Sequence, residues 1–136
     1  MMTYDVMKET IIDRGLTLAH EDEAEQIAEV DDPVRGLEGL RLDHEGDFVV
    51  AVQPLYETKA LSQSEREQLF TALLRANNAV VSGSFALQSV GEDKVVVYRG
   101  VFDLKREGDL DAVLDTVMLA AVEFSSLLES VEGRRV

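Results

Sequence analysis

Two histidines, His20 and His44, are the only imidazoles in the sequence, and cysteine is absent. Thiol nucleophiles, thiolate metal ligands and disulfides are therefore excluded together. A divalent cation could be sought at His20 with Asp22 and Glu23. Hard cations, however, need oxygens wrapped by a loop of fixed spacing, and no D-x-D-x-D-G run is present. His44 stands in Asp43-His44-Glu45-Gly46 with no second ligand beside it and reads as a surface residue at a polar turn. Ser62 and Ser64 would be nucleophiles only next to a base. With no G-x-S-x-G elbow, their spacing to Glu65 and Glu67 marks overlapping capping boxes instead. Asp111 and Asp115 share a helix face without a histidine or third acid to make a metal site, and read as a wetted face. Gly83 and Gly91 belong to neither G-x-x-x-x-G-K-[ST] nor G-x-G-x-x-G, so no phosphate loop is present. The residue types thus point to a non-enzymatic protein with no catalytic residues, no cofactor and no metal.

Charge narrows the partners. Twenty-seven acids against 13 bases leave a net charge of -14, which opposes a phosphate backbone or an anionic membrane. Seven of those acids (Glu21, Asp22, Glu23, Glu25, Glu29, Asp31, Asp32) fall between His20 and Asp32, without a lysine or arginine among them. No apolar run of signal-peptide or membrane-span length is found, so a soluble cytoplasmic protein is expected, with no membrane insertion. A chain of 136 residues, 46% hydrophobic, can bury about two-thirds of its unfolded surface in a single core. One domain over 1–136 is expected, with the order of 20–32 left open and 132–136 as a frayed tail.

The elements that would position these residues follow from periodicity. Tyr4, Met7, Ile11 and Ile12 form one helical stripe, closed at Gly15. Segment 20–32 fits either a helix, through Ala24, Ile27 and Ala28, or an edge strand anchored by Ile27 and Val30. After Pro33, Gly36 and Gly39, a strand with Leu40 and Leu42 turns at Asp43–Gly46 into DFVVAVQPL. That return strand is apolar on both faces, Phe48, Val50 and Val52 against Val49, Ala51 and Gln53. A central strand, or a second face covered by another chain, is implied. A helix led by the capping boxes carries Leu69, Phe70, Leu73 and Leu74 and ends at Asn77-Asn78. A second hairpin joins Ser84–Val90 to Lys94–Leu104 through Gly91-Glu92-Asp93. The last helix opens at Gly108-Asp109, and its Val117–Phe124 stretch has Glu123 as its single polar residue. A helix apolar nearly all round must be covered on more than one side, which points to a second subunit or, alternatively, to deep burial between the sheet and the first helix.

The order α-β-β-β-α-β-β-α makes an α+β domain, helices packed on a mostly antiparallel sheet. LLRAN at the end of the middle helix, the hairpin SGSFALQSVGEDKVVVYRGVFDL and the final helix to Leu128 resemble the type III secretion chaperone-like superfamily, the CesT/YbjN-like fold. The Gly-Glu-Asp turn and acidic helix are also similar to the uncharacterised bacterial YjfI-like family. The first resemblance implies a homodimer holding an extended segment of a protein partner or client; the second implies an accessory or regulatory protein acting through a protein partner. On this reading Tyr4, Met7, Ile11, Val49 and Ala51 are expected to bind the partner. Val96, Tyr98, Val117, Leu119 and Val122 are expected at a dimer interface, and nucleic acid is not a partner.

Overall fold

In the computed structural model, residues 2–79 and 82–132 are described. Thr3 caps helix α1 (Tyr4–Asp13) by accepting the Val6 N–H at 3.2 Å. Four strands follow: β1 (Thr17–Asp22), β2 (Ile27–Asp32), β3 (Leu37–Glu45) and β4 (Phe48–Glu57). A 3-10 turn at Thr58–Ala60 leads to α2 (Gln63–Asn77), then β5 (Ser84–Val90), β6 (Asp93–Asp103) and α3 (Glu107–Glu132). Of the two overlapping capping boxes, Ser62 with Glu65 is the one formed. The α+β class and the order of elements agree with the sequence reading, and the strand-rich first half holds four strands where the sequence pattern predicts three. The additional strand comes from the acidic segment, which is a β1–β2 hairpin. Its turn is closed by Gln26 in the left-handed region at φ 57°.

The sheet runs β1-β2-β3-β4-β6-β5, every neighbouring pair antiparallel. Alternation along each strand sorts its two faces. Ala28 and Val30 of β2, Leu40 and Leu42 of β3, Val49 and Ala51 of β4, and Val96 and Tyr98 of β6 all turn to one face and are buried. The helices supply Met7 and Ile11, Leu69 and Leu73, and Val113, Leu114, Val117 and Phe124 to the same core. Each such side chain contributes about 1.5–3 kcal/mol by leaving water. The opposite face carries Arg41, Val50, Val52, Arg99 and Val101, and among the described residues no helix lies over it.

His44 departs from the expectation of a surface residue. The turn is Gly46-Asp47, with Gly46 at φ 71°, so β3 continues through His44, which shares the buried face of Leu40 and Leu42. Its Nε2 lies 2.7 Å from the Met2 carbonyl oxygen, an acceptor only, so this nitrogen carries a proton. Nδ1 meets the Gln26 side chain at 3.2 Å, and the His44 N–H donates to the Gln26 carbonyl at 2.9 Å. One imidazole thus ties the chain's start to the β1–β2 turn. Residues 133–136 of the expected tail lie outside the described residues, whereas Glu132 closes α3.

Asp111 and Asp115 belong to an ion-pair network. Arg35 in the β2–β3 turn bonds Asp115 and the buried Asp32 at 2.8 Å each, and Arg14 meets Asp111 at 3.2 Å. The carboxylates hold the Arg35 guanidinium above its ordinary pKa, Asp115 more than Asp32. Removing one partner of a buried pair strands the other charge. Arg35→Met is therefore expected to cost about 3 kcal/mol in urea unfolding. A loss below about 1 kcal/mol would show that water already solvates Asp32.

Candidate functional site

A six-stranded open sheet has two edges, and each is a row of backbone groups available to another chain. The two are treated differently here. β1, TLAHED, breaks register between Leu18 and His20 and carries Glu21 and Asp22. α1 buttresses it: Lys8 pairs with Glu21 at 2.8 Å and Glu23 at 3.1 Å, and the Tyr4 hydroxyl donates to Glu21 at 3.0 Å. A bulge and adjacent charges are the devices that keep an edge from accepting strands. The acids near His20 form no metal centre: among the described residues no group of three or more His, Asp or Glu side chains is placed to hold an ion.

β5, SFALQSV, has neither charge nor proline, and its pairing with β6 is regular from Ser84 to Val90. Beside it a groove of about 250 Å³ opens between α2 and the strand, lined by Phe70, Leu73, Leu74, Phe85 and Leu87. Leu74 is 69% and Leu87 45% exposed. The Asn77 side chain reaches the strand and makes both backbone bonds of Phe85: its Oδ1 accepts the Phe85 N–H at 2.8 Å and its Nδ2 donates to the Phe85 carbonyl at 3.0 Å. The Phe85 backbone groups therefore point away from β6. By antiparallel alternation, those of Leu87 and Ser89 do too. Behind the strand, Gly83 at φ 74° has the Tyr98 hydroxyl 2.5 Å from where a β-carbon would stand, so a side chain is excluded there.

The expected site residues divide unevenly. Tyr4, Met7, Ile11, Val49 and Ala51, expected at a partner, are at most 6% exposed and lie in the chain's own core. Val96, Tyr98 and Val117, expected between subunits, are likewise buried, at no more than 1%. In the single chain these eight positions are core, because the helices cover the sheet face on which their apolar stripes converge. Leu119 and Val122 are different. They project from α3 at 64% and 60% exposure, while Val117, Ala120 and Phe124 of the same helix are buried. The β5 edge and its groove carry no motif that marks them as a site in the sequence. The available signal was a strand without charges in a chain that is 29% charged.

Burial lifts the Tyr4 hydroxyl from its ordinary pKa of 10 to about 12, aided by its bond to Glu21. Tyr98 is raised by burial, and Lys8 by its bonds to Glu21 and then Glu23. A folded pKa above the unfolded one contributes stability that is complete below the unfolded value and lost as pH rises through the folded one. Stability is thus expected to fall between pH 10 and 12, and Tyr4→Phe should flatten that decline in thermal melts taken across the range. An equally steep decline in the variant would show that Tyr4 titrates alike folded and unfolded.

A family model described as CesT_Tir_1 matches residues 1–132. Among solved structures, the chain is similar to one titled "Crystal structure of YbjN, a putative transcription regulator from E. coli". The TM-score is 0.66 at 11% identity, over 91% of this chain and 92% of that one, a likeness of fold. No curated protein matches.

Proposed function

The chain belongs to the type III secretion chaperone family, and from that premise we propose a non-enzymatic, dimeric protein-binding module that holds an extended segment of a partner or client along β5. The observation that carries this reading is the contrast between the edges: β1 is bulged, acidic and buttressed by α1, while β5 is regular, uncharged and flanked by an apolar groove. Main-chain bonds to the edge supply affinity, and the groove selects side chains at alternate positions. A charge of -14 favours a protein partner over nucleic acid. A second reading, an accessory or regulatory protein, uses the same edge. Its motive is the neighbour's title, which names a putative transcription regulator, and here regulation would pass through a protein contact.

For the dimer, Leu119 and Val122 are the exposed apolar positions of α3 that a second subunit would cover. Light scattering at micromolar concentration should give a dimer, and Leu119→Asp with Val122→Asp should give a folded monomer, since both side chains already face outward. Val117→Asp should instead unfold the chain, because a buried unpaired charge costs several kcal/mol. A wild-type monomer sinks the dimer. For the segment, partners purified from the native cell and identified by mass spectrometry supply a peptide. Its affinity should drop about tenfold with Leu87→Lys, about 1.4 kcal/mol. Unchanged affinity would remove β5 from the binding surface.

A further inference from the structure

We propose that β5 accepts only a short strand, stopped by Asn77 at Phe85, and that it selects a segment with an apolar residue and an acidic residue two positions apart. This rests on the reading of β5 as the receiving edge and adds to it the length and the chemistry of what is received.

The stop follows from the two Asn77 bonds. The amide makes with Phe85 the same donor and acceptor pair that an added strand would make, so that position is occupied. Outward pairing positions of β5 fall every second residue, leaving Leu87 and Ser89 before the Gly91-Glu92 turn. An added strand therefore has one short stretch in which to pair, and its register is set by where Asn77 ends.

The chemistry follows from what each position faces. Residues directly opposite one another in a ladder share a sheet face. Phe85 with Tyr98, Leu87 with Val96 and Ser89 with Lys94 are such pairs, so Leu87 and Ser89 lie on the helix-covered side. A residue set against Leu87 meets the groove of Phe70, Leu73 and Leu74, and an apolar side chain fills it. A residue set against Ser89 meets Lys94, whose Nζ donates to Ser89 Oγ at 2.6 Å. Lys94 is exposed, and among the described residues no carboxylate lies within ion-pair distance of it. In a chain with 27 acids against 13 bases, an ammonium that has Ser89 as a hydrogen-bond partner but no carboxylate beside it among the described residues, at the end of the uncharged edge, favours an incoming carboxylate. Apolar and acidic residues are thus two positions apart, the spacing of side chains on one face of a strand.

The test uses the full isotope-labelled chain and two capped peptides, Thr-Glu-Thr-Leu-Thr-Glu-Thr and the same peptide with lysine for both glutamates. The symmetric placement serves either strand direction. Amide shifts on titration should centre on Leu87 and Ser89 and spare Phe85. The glutamate peptide should bind about threefold more tightly at low salt, as an exposed cross-strand charge pair allows. Lys94→Glu should reverse that preference, and Asn77→Ala should extend the shifts to Phe85. If neither peptide moves β5, the reading of β5 as the receiving edge fails and this inference with it. Binding at Leu87 and Ser89 with no charge preference and no reversal by Lys94→Glu overturns the acidic selection alone. Shifts at Phe85 in the wild type as large as at Leu87 overturn the stop, whether or not Asn77→Ala folds.

Discussion

One-sided coverage of the sheet is the constraint on which the rest depends. α1, α2 and α3 pack on the face that carries Leu40, Leu42, Val49, Ala51, Val96 and Tyr98, and the strands alternate with a period of two. A shift of register by one residue would turn those side chains to water and bring Arg41, Val50, Val52 and Arg99 under the helices. The β4–β6 ladder, central in the sheet, holds that register from Phe48 and Asp103 to Glu57 and Val95, with one irregularity after Pro54. The buried Asp32 and Arg35 then tie the β2–β3 turn to α3. Among the described residues, the surfaces this arrangement leaves over include two edges, one open face and the outer side of α3.

That constraint explains why an apolar stripe read by itself does not separate core from interface. Tyr4, Met7 and Ile11 look like an offered helix face when α1 is read by itself, but the acidic hairpin beneath gives α1 a place to dock. Val117 and Leu119 look equivalent within VMLAAVEF. Helical geometry sends the first to the sheet and the second to solvent, with exposures of 0% and 64%. The apolar surplus of α3 is therefore smaller than its composition implies. What remains of it, Leu119 and Val122, is three residues apart on one side of the helix, as a packing stripe requires.

Local chemistry was legible where a signal is confined to a few residues. The Ser62–Glu65 box and the hairpin turn after Val90 lie where their motifs placed them, and so do Tyr4, Met7 and Ile11 of the α1 stripe and Leu69 and Leu73 of the α2 stripe, whereas Ile12 and Leu74 are exposed. The acidic segment was not legible, because β1 shows almost no alternation: of its six residues, Leu18 is the one that is even half-buried. An edge strand held by backbone bonds and a salt bridge to Lys8 leaves no hydrophobic period to read. His44 was misplaced for a related reason. Asp43-His44-Glu45-Gly46 looks like a polar tip, yet the strand runs on and the imidazole finds hydrogen-bond partners at Met2 and Gln26, residues far from it in sequence. The Asn77 clip on Phe85 is likewise a tertiary fact, since an Asn-Asn pair after a helical run reads as a helix end and nothing more. The Leu73–Leu104 region is both core and edge, divided residue by residue according to which way each strand position points.

The central claim is that β5 is the receiving edge and β1 is closed. Amide hydrogen exchange, compared between the free protein and its complex with a partner purified from the native cell, tests this most directly. The account predicts new protection at Leu87 and Ser89 and along the groove side of α2, with β1 unchanged. Protection appearing on Thr17–Asp22 while Ser84–Val90 exchanges as in the free protein would contradict it.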